Sequence, residues 1–357
     1  MGLLISAAER GMLPDPMLRG GIRYLLRQRL RQEKRAQDGN ARRQLAAMVA
    51  AMDDSPIAAV PELANEEHYT LPPAFFQLFL GRWRKYSSGF WADDCSCLDD
   101  AEAAMLDLTC RRAGLEDGMT VLDLGCGWGS LSLWIARYYP KCTIVSVSNS
   151  PQQRAFIQAE CRTAGITNIQ VVTADMNSFA PGVRFQRIIS VEMFEHMRDY
   201  RSLLGRVRSW LEDDGKLFLH IFCHRRLSYF FEPQGEGDWM ARYFFTGGIM
   251  PSASLLRSFS QDMMVTREWP VNGVHYQKTL EAWLENLDQQ SAQARRVLTG
   301  VYPQAQVDIW LQRWRIFMMA CSELFGFADG EEWRVGHYLL EPSPTLSTGG
   351  ASCSGPC

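Results

Sequence analysis

The sequence predicts an α/β protein on a doubly wound, Rossmann-like sheet, with an N-terminal helical extension and a helical, aromatic-rich lid. Three observations predict it. Between residues 115 and 222, short β-branched runs alternate with helical stretches. A glycine-rich loop, Gly125-Cys126-Gly127-Trp128-Gly129, joins the first run to the first helix. The flanks differ in texture, basic and helical before the alternation, aromatic and helical after it.

Residues 1–110 read as mainly helical, punctuated by Pro14 and Pro16. Ile22, Leu25, Leu26 and Leu30 fall at helical spacing, with arginines mostly on the other face. Ten basic and four acidic residues in the first fifty give that segment +6, against −3 for the chain, leaving −9 for the rest. Such a basic amphipathic helix suits an anionic membrane surface, a partner helix or its own protein. In the alternating region, residues 120–124, 143–147, 169–172, 187–191 and 216–221 read as strands. Residues 130–139 and 151–163 read as helices, with Pro151 suited to a first turn. Near-continuous apolar strands fit a parallel sheet buried on both faces. After residue 222 come Tyr229, Phe230, Phe231, Trp239, Tyr243, Phe244 and Phe245, then a helical stretch over 304–325. The expected division is 1–110 for the extension and a cofactor-closing segment, 111–342 for the catalytic domain with lid insertions, and 343–357 for a polar, disordered tail.

At 46% hydrophobic and 22% charged, the composition is globular, and the net charge offers no general attraction to nucleic acid. No run of 18 apolar residues predicts a membrane span, and no secretory signal is recognisable. The ten cysteines are scattered without paired zinc-ligand spacing. These features predict a cytoplasmic protein with reduced thiols, no metal and no integral membrane segment.

Val121-Leu122-Asp123-Leu124-Gly125-Cys126-Gly127-Trp128-Gly129 carries the strongest chemical signal. Glycines let backbone approach a ligand closely, and doubly wound sheets bind ligands beyond the carboxyl ends of their strands. The spacing is GxGxG, with Ser130 where a dinucleotide fingerprint has its third glycine, and no phosphate-binding Lys-Ser/Thr follows. An acid followed by GxGxG resembles the S-adenosylmethionine signature of the class I methyltransferases. Asp123 suits the ammonium of that cofactor. Beyond the second strand no carboxylate stands for the ribose, but Asn149 and Gln153 offer neutral contacts. After the third, Asp175 suits the adenine amino group and Met176 the ring face; a helix cap is the other reading of Asp175.

Asn149-Ser150-Pro151-Gln152-Gln153 and Val191-Glu192-Met193-Phe194-Glu195-His196-Met197 resemble the cyclopropane-fatty-acid synthase superfamily. So do Glu67-His68-Tyr69-Thr70-Leu71-Pro72 and Lys85-Tyr86-Ser87-Ser88-Gly89-Phe90-Trp91. Residues 9–16 with 27–30, and 325–333, resemble the coclaurine N-methyltransferase-like branch, and the likeness covers 8–342. It implies a class I methyltransferase fold with S-adenosylmethionine. Tyr86 and Ser87 would close over the methionine end, and Gly125, Cys126, Gly127 and Gly129 would form the loop beneath it. Glu192, Glu195 and His196 would face the reacting centre. For a small amine acceptor, Glu195 and His196 would bind the ammonium and take its proton, because an aliphatic amine is protonated at neutrality.

The resemblance also implies a second acceptor, an unsaturated acyl chain of a phospholipid, with bicarbonate as base. A cysteine, a glutamate, a histidine on the fifth strand and a tyrosine would hold that ion. Here Ser88 stands for the cysteine, and Glu195, His220 and Tyr276 for the others. Cys321 resembles a C-terminal cysteine of the lipid enzymes. Peripheral membrane contact and a homodimer are compatible with the extension. A catalytically silent binding module is the third reading, disfavoured by the intact glycine loop.

Overall fold

The computed structural model describes residues 2–37, 41–58, 71–232, 235 and 238–344. Residues 67–70 of the quoted motif and 345–357 of the expected tail lie outside them. The strands are β1 (Thr120–Leu124), β2 (Thr143–Ser148), β3 (Ile169–Thr173), β4 (Phe185–Val191), β5 (Leu211–His224), β6 (Tyr229–Phe230), β7 (Ile249–Met250), β8 (Met263–Val271) and β9 (Trp333–Pro342). Seven form one sheet in the order β3-β2-β1-β4-β5-β9-β8, while β6 and β7 pair separately.

The first five strands are parallel, as the alternation requires. β9 and β8, two strands the sequence reading did not include, extend the sheet antiparallel. Their residues lie in the aromatic region, where a long helix dominates the pattern and a strand at the far end of the chain has no local partner to announce it.

Local chemistry sets the helix ends that matter here. Gly129, at φ +79, opens the Ser130–Tyr138 helix directly from the loop. Pro151 starts the Pro151–Ala164 helix, whose Ser150 side chain accepts from the Gln153 amide at 3.3 Å. That cap brings Gln153 to the end of β2. The Tyr200–Trp210 helix is capped by Asp199, which accepts from Ser202 N at 2.9 Å.

Both sheet faces are covered. Leu122, Leu124, Ile188, Leu217, Leu219 and Ile221 belong to one core cluster, and Val121, Ile144, Ile189 and Phe218 to another. Each such side chain contributes roughly 1.5–3 kcal/mol on burial. The Asp15–Gln37 helix of the extension lies on the Gln304–Phe325 helix. Arg19 grips Glu281 with two 2.7 Å bonds and reaches Glu323 at 3.1 Å; Arg23 pairs with Glu323 at 2.9 Å. Earlier in the chain, Glu9 accepts from Trp239 Nε1 at 2.8 Å and Arg313 at 3.0 Å. Part of the +6 excess therefore neutralises acids of the catalytic body. Among the described residues, no helix is long and apolar enough to cross a membrane.

Candidate active site

β1 and β4, neighbours in the sheet, run parallel, so their carboxyl ends open on one side. There lies a cavity of about 910 Å³, at the upper end of small-molecule sites. The sheet contributes Asp123 and Val191, the turn after β4 Glu192, the loop residues 125–128, and the extension Leu18, Ile22 and Leu26 among others. Aromatic residues add to it, including Tyr86, Phe222, Phe245, Tyr276 and Phe317.

One wall is backbone. Gly125, Gly127 and Gly129 all have positive φ, at 86°, 52° and 79°. A Cβ on Gly125 would meet Met193 at 2.8 Å and one on Gly129 would meet Ile157 at 2.7 Å, whereas nothing lies within 4 Å of one on Gly127. The first and third glycines thus allow packing, and the middle one keeps the approach open. The amides of Gly125 and Cys126 donate to Val147 O at 3.0 and 2.8 Å, fixing the loop on β2. Burial holds the Cys126 thiol protonated, well above its usual range. Asp123 accepts from Ser132 Oγ at 2.5 Å, and burial pushes its carboxyl up to about 6.

Gln153 accepts from Ser148 Oγ, but its Nε2 is buried with no partner among the described residues, on the cavity lining. A buried orphan donor costs about 1–3 kcal/mol unless a ligand accepts from it. That donor, the open space at Gly127 and the Asp123 carboxylate suit hydroxyls, a close-lying chain and an ammonium. The residues therefore fit S-adenosylmethionine.

The other wall is built of side chains. Glu192 follows β4 with φ +49, a left-handed conformation rare for a residue with a Cβ. It costs roughly 1–3 kcal/mol and marks a positioned group. Its Oε1 accepts from Ser88 N and His220 Nε2, each at 3.1 Å, and its Oε2 from Tyr276 Oη at 2.6 Å. Burial raises the Glu192 carboxyl, while Lys85, Tyr276 and the Ser88 amide pull it back. Lys85 is buried, donating to Ser87 Oγ and to Ser88 O at 2.9 Å; burial lowers it to about 8 against the attraction of Glu192 and Glu102. Glu102 accepts from the amides of Gly81 and Trp83 at 2.9 and 2.8 Å, bracing the segment that carries Lys85 and Tyr86.

His196 lines the cavity edge-on to Phe245, ring centroids 4.7 Å apart. Glu195 does not line it, contrary to expectation. It is fully buried, and its Oε1 accepts from Phe222 N at 2.6 Å. Burial, then the charge of Glu192, pushes its carboxyl well above the usual range. Successive residues on a 3₁₀ turn point about 120° apart, so Glu195 and His196 of the Phe194–His196 turn cannot share a direction. His220 and Tyr276 meet as expected, but on Glu192 rather than Glu195. Cys321 lines the cavity as a thiol, pushed up to about 12 by burial and then by Glu192.

Four expected cofactor contacts are not on the lining: Gly129, which packs on Ile157, and Asn149, Asp175 and Met176. Asp175 instead accepts from Asn177 N at 2.8 Å within a turn, with no helix there for it to cap, and Met176 is buried with Phe179 and Met193. Tyr86 and Ser87 do line it. Sequence reasoning missed Lys85, although it heads a quoted motif, because a lysine is ordinarily exposed. It also missed His337, embedded in the apolar run Val335–Leu340.

A Rossmann-like sheet with an acid and a GxGxG loop at the cofactor end defines a class I, S-adenosylmethionine-dependent methyltransferase. Over residues 60–331 the chain matches the family described as mycolic acid cyclopropane synthetase, and it belongs to that family. It is 36% identical over 341 residues to (S)-coclaurine N-methyltransferase of Papaver somniferum, covering 95% of this chain and 97% of that one. Identity to cyclopropane-fatty-acyl-phospholipid synthase of Escherichia coli K12 is 28% over 279 residues, 76% of this chain and 67% of that one. The crystal structure of coclaurine N-methyltransferase bound to N-methylheliamine and SAH superposes with a TM-score of 0.90 at 33% identity, covering 95% of this chain and 98% of that one. The chain is thus an enzyme of the methyltransferase class that uses S-adenosylmethionine, similar to the coclaurine N-methyltransferase branch.

Proposed function

We propose that the enzyme N-methylates a small amine with an aromatic body, with Glu192 as the partner of the ammonium and His196 as the base. The observation that carries this is the Glu192 carboxylate, held by three donors on a cavity that Tyr86, Phe222, Phe245, Tyr276 and Phe317 also line. Aromatic faces attract cations, and a buried carboxylate attracts them more strongly. Similarity to N-methyltransferases over most of the chain supports the same reading.

Asp123, Gln153, Tyr86, Ser87 and the residue 125–129 loop would hold S-adenosylmethionine, which supplies an activated methyl on a sulfonium. The rest is positioning and proton handling. An aliphatic amine near pKa 10 arrives as ammonium and has no free lone pair. Glu192 would bind it as a fixed charge. Its three donors leave one lone-pair position on Oε2 for the ammonium. His196 would take the proton, leaving the nitrogen lone pair free to face the activated methyl. Cys321, a thiol beside Glu192, has no step here.

Bicarbonate does not fit. The groups expected to hold it, His220, Tyr276 and the Ser88 segment, are bonded to the carboxylate of Glu192, and Glu195 is turned away. The protein's own carboxylate thus occupies that set of donors, which disfavours the acyl-chain reading. We place the enzyme in the cytoplasm, since the eight described cysteines are all free.

The test is incubation with methyl-labelled S-adenosylmethionine and either an amine panel including coclaurine or a lipid extract. Label in amine, independent of added bicarbonate, is expected. Label confined to lipid would overturn the reading.

A further inference from the structure

A line of hydrogen bonds leaves the cavity through the sheet. Val191 of β4, His220 of β5, His337 of β9 and Trp269 of β8 are successive register partners, one rung of four strands. His220 Nε2 meets Glu192 Oε1 at 3.1 Å. His220 Nδ1 meets His337 Nε2 at 2.9 Å. His337 Nδ1 meets Arg112 Nη1 at 2.8 Å. Arg112 belongs to the last turn of the Leu98–Ala113 helix, with its guanidinium over the Trp269 ring, 5.2 Å from the centroid. Both histidines are fully buried.

The end group fixes the direction. A guanidinium only donates and stays charged in proteins. His337 Nδ1 must therefore accept, so the His337 proton sits on Nε2. That proton is donated to His220 Nδ1, which must accept in turn. The His220 proton is then on Nε2 and is donated to Glu192. One residue at the far end decides the tautomer of both rings.

We propose that Arg112 and His337 are positioning residues for methyl transfer: together they lock the hydrogen-bond polarity of this rung, so that His220 always donates to Glu192. This rests on the reading of Glu192 as the ammonium's partner. The lock also closes the rung as a proton exit. Both Nδ1 atoms already accept, so neither ring takes a second proton without breaking a bond, and the substrate proton leaves through another group. Burial disfavours the charged forms further. For His220 it acts with Lys85 and Arg112, and for His337 with the neighbouring His220, Arg112 and Lys85. The groups acting on Glu192 are Lys85, His220, Tyr276, the Ser88 amide and His196, with Glu195 and Cys321 themselves raised by its charge.

The test has two arms. The chain has six histidines, so ¹⁵N NMR of the full-length, histidine-labelled protein resolves each ring, with single His→Asn variants of the other four for assignment. His220 and His337 are expected as neutral Nε2–H tautomers down to pH 5.5. An Nδ1–H tautomer or an imidazolium at neutral pH in either ring overturns the lock. The second arm is turnover of coclaurine with labelled cofactor. Arg112→Met is expected to lower kcat about tenfold, the scale of losing an outer hydrogen-bond partner of a histidine. Its cofactor affinity should hold, and its pH profile should gain an acid limb as His337 becomes free to protonate. Arg112→Lys, which keeps a donor, should restore most of kcat and remove that limb. A methionine variant whose profile superposes on wild type overturns the positioning role. Failure of wild type to methylate any amine counts against the proposed function, and the NMR arm still decides the lock.

Discussion

The glycine-loop wall of the cavity and its Glu192 wall are made differently. The first is largely backbone from one stretch of chain, residues 123–130, with Gln153 added by the cap that follows β2. The second gathers Lys85, Ser88, Glu192, His220 and Tyr276, side chains and one amide from segments up to 191 residues apart. A backbone wall depends on φ values that glycine alone adopts cheaply, so it is written into adjacent letters. A side-chain wall depends on which strands become neighbours, and it tolerates many spellings. The first should fail as a binding surface and the second as chemistry.

The largest effect should come from the side-chain wall. Glu192→Gln is expected to lower turnover about 10²–10⁴-fold, with cofactor affinity by calorimetry little changed. Its hidden neighbour should matter less: Glu195→Gln keeps the oxygen that accepts from Phe222 N and should cost under about tenfold, the range of a supporting contact. A reversed order would return the ammonium site to Glu195.

The brace behind that wall gives a pH signature. Burial raises Glu102 from 4.5 to about 7. A carboxyl raised on folding contributes stability below its unfolded value and loses it as pH rises toward the folded one. Wild-type stability should therefore fall between about pH 4.5 and 7, by up to about 3 kcal/mol at 1.36 kcal/mol per unit. Denaturation of Glu102→Gln should lack that fall, so its stability relative to wild type rises with pH across the window. Parallel curves would show that Glu102 titrates normally.

On the backbone wall, Gly127→Ala should cost roughly 1–2 kcal/mol of stability from its positive φ. The added methyl enters open space beside the loop, so cofactor affinity should fall further than stability does, by about tenfold. Gly129→Ala, which collides with Ile157, should show the opposite balance, with the melting temperature falling first. If both variants lose only stability, the middle glycine is not at the cofactor.

The smallest effect belongs to the extension. Arg19→Met removes a partly exposed ion-pair group and should cost about 1 kcal/mol or less, and less at high salt. The acceptor KM should move more than kcat, because Leu18 and Ile22 on the same helix line the cavity.

Much of the fold was readable beforehand because its signals are local. The five parallel strands follow from β-branched runs, the helix starts from Pro151 and Gly129, and the 304–325 helix from continuous helical composition. β8 and β9 escaped because antiparallel edge strands at residues 263–271 and 333–342 recruit each other and β5 only after the chain has returned. Of the site residues named in advance, Gly125, Cys126, Gly127, Gln153, His196, Tyr276 and Cys321 line the cavity. Asp175 and Met176 were placed by their position after β3. Nothing local distinguishes an aspartate that caps its own turn from one that faces a ligand.

The sequence alone determined that this chain folds as a doubly wound sheet with a cofactor loop, and it singled out the stretch Glu192–His196, two of whose residues, Glu192 and His196, line the cavity. Those features rest on residue spacing and on the conformational freedom of glycine, which act within a few residues. Tertiary structure decided which carboxylate in that stretch meets the cavity. The left-handed backbone at Glu192 turns it inward, and the following 3₁₀ turn sends Glu195 to the Phe222 amide. It also decided that His220 and His337, 117 residues apart, share a rung with Arg112 at its end. No residue on that rung specifies its partner; strand register does, and register exists only once the sheet has formed.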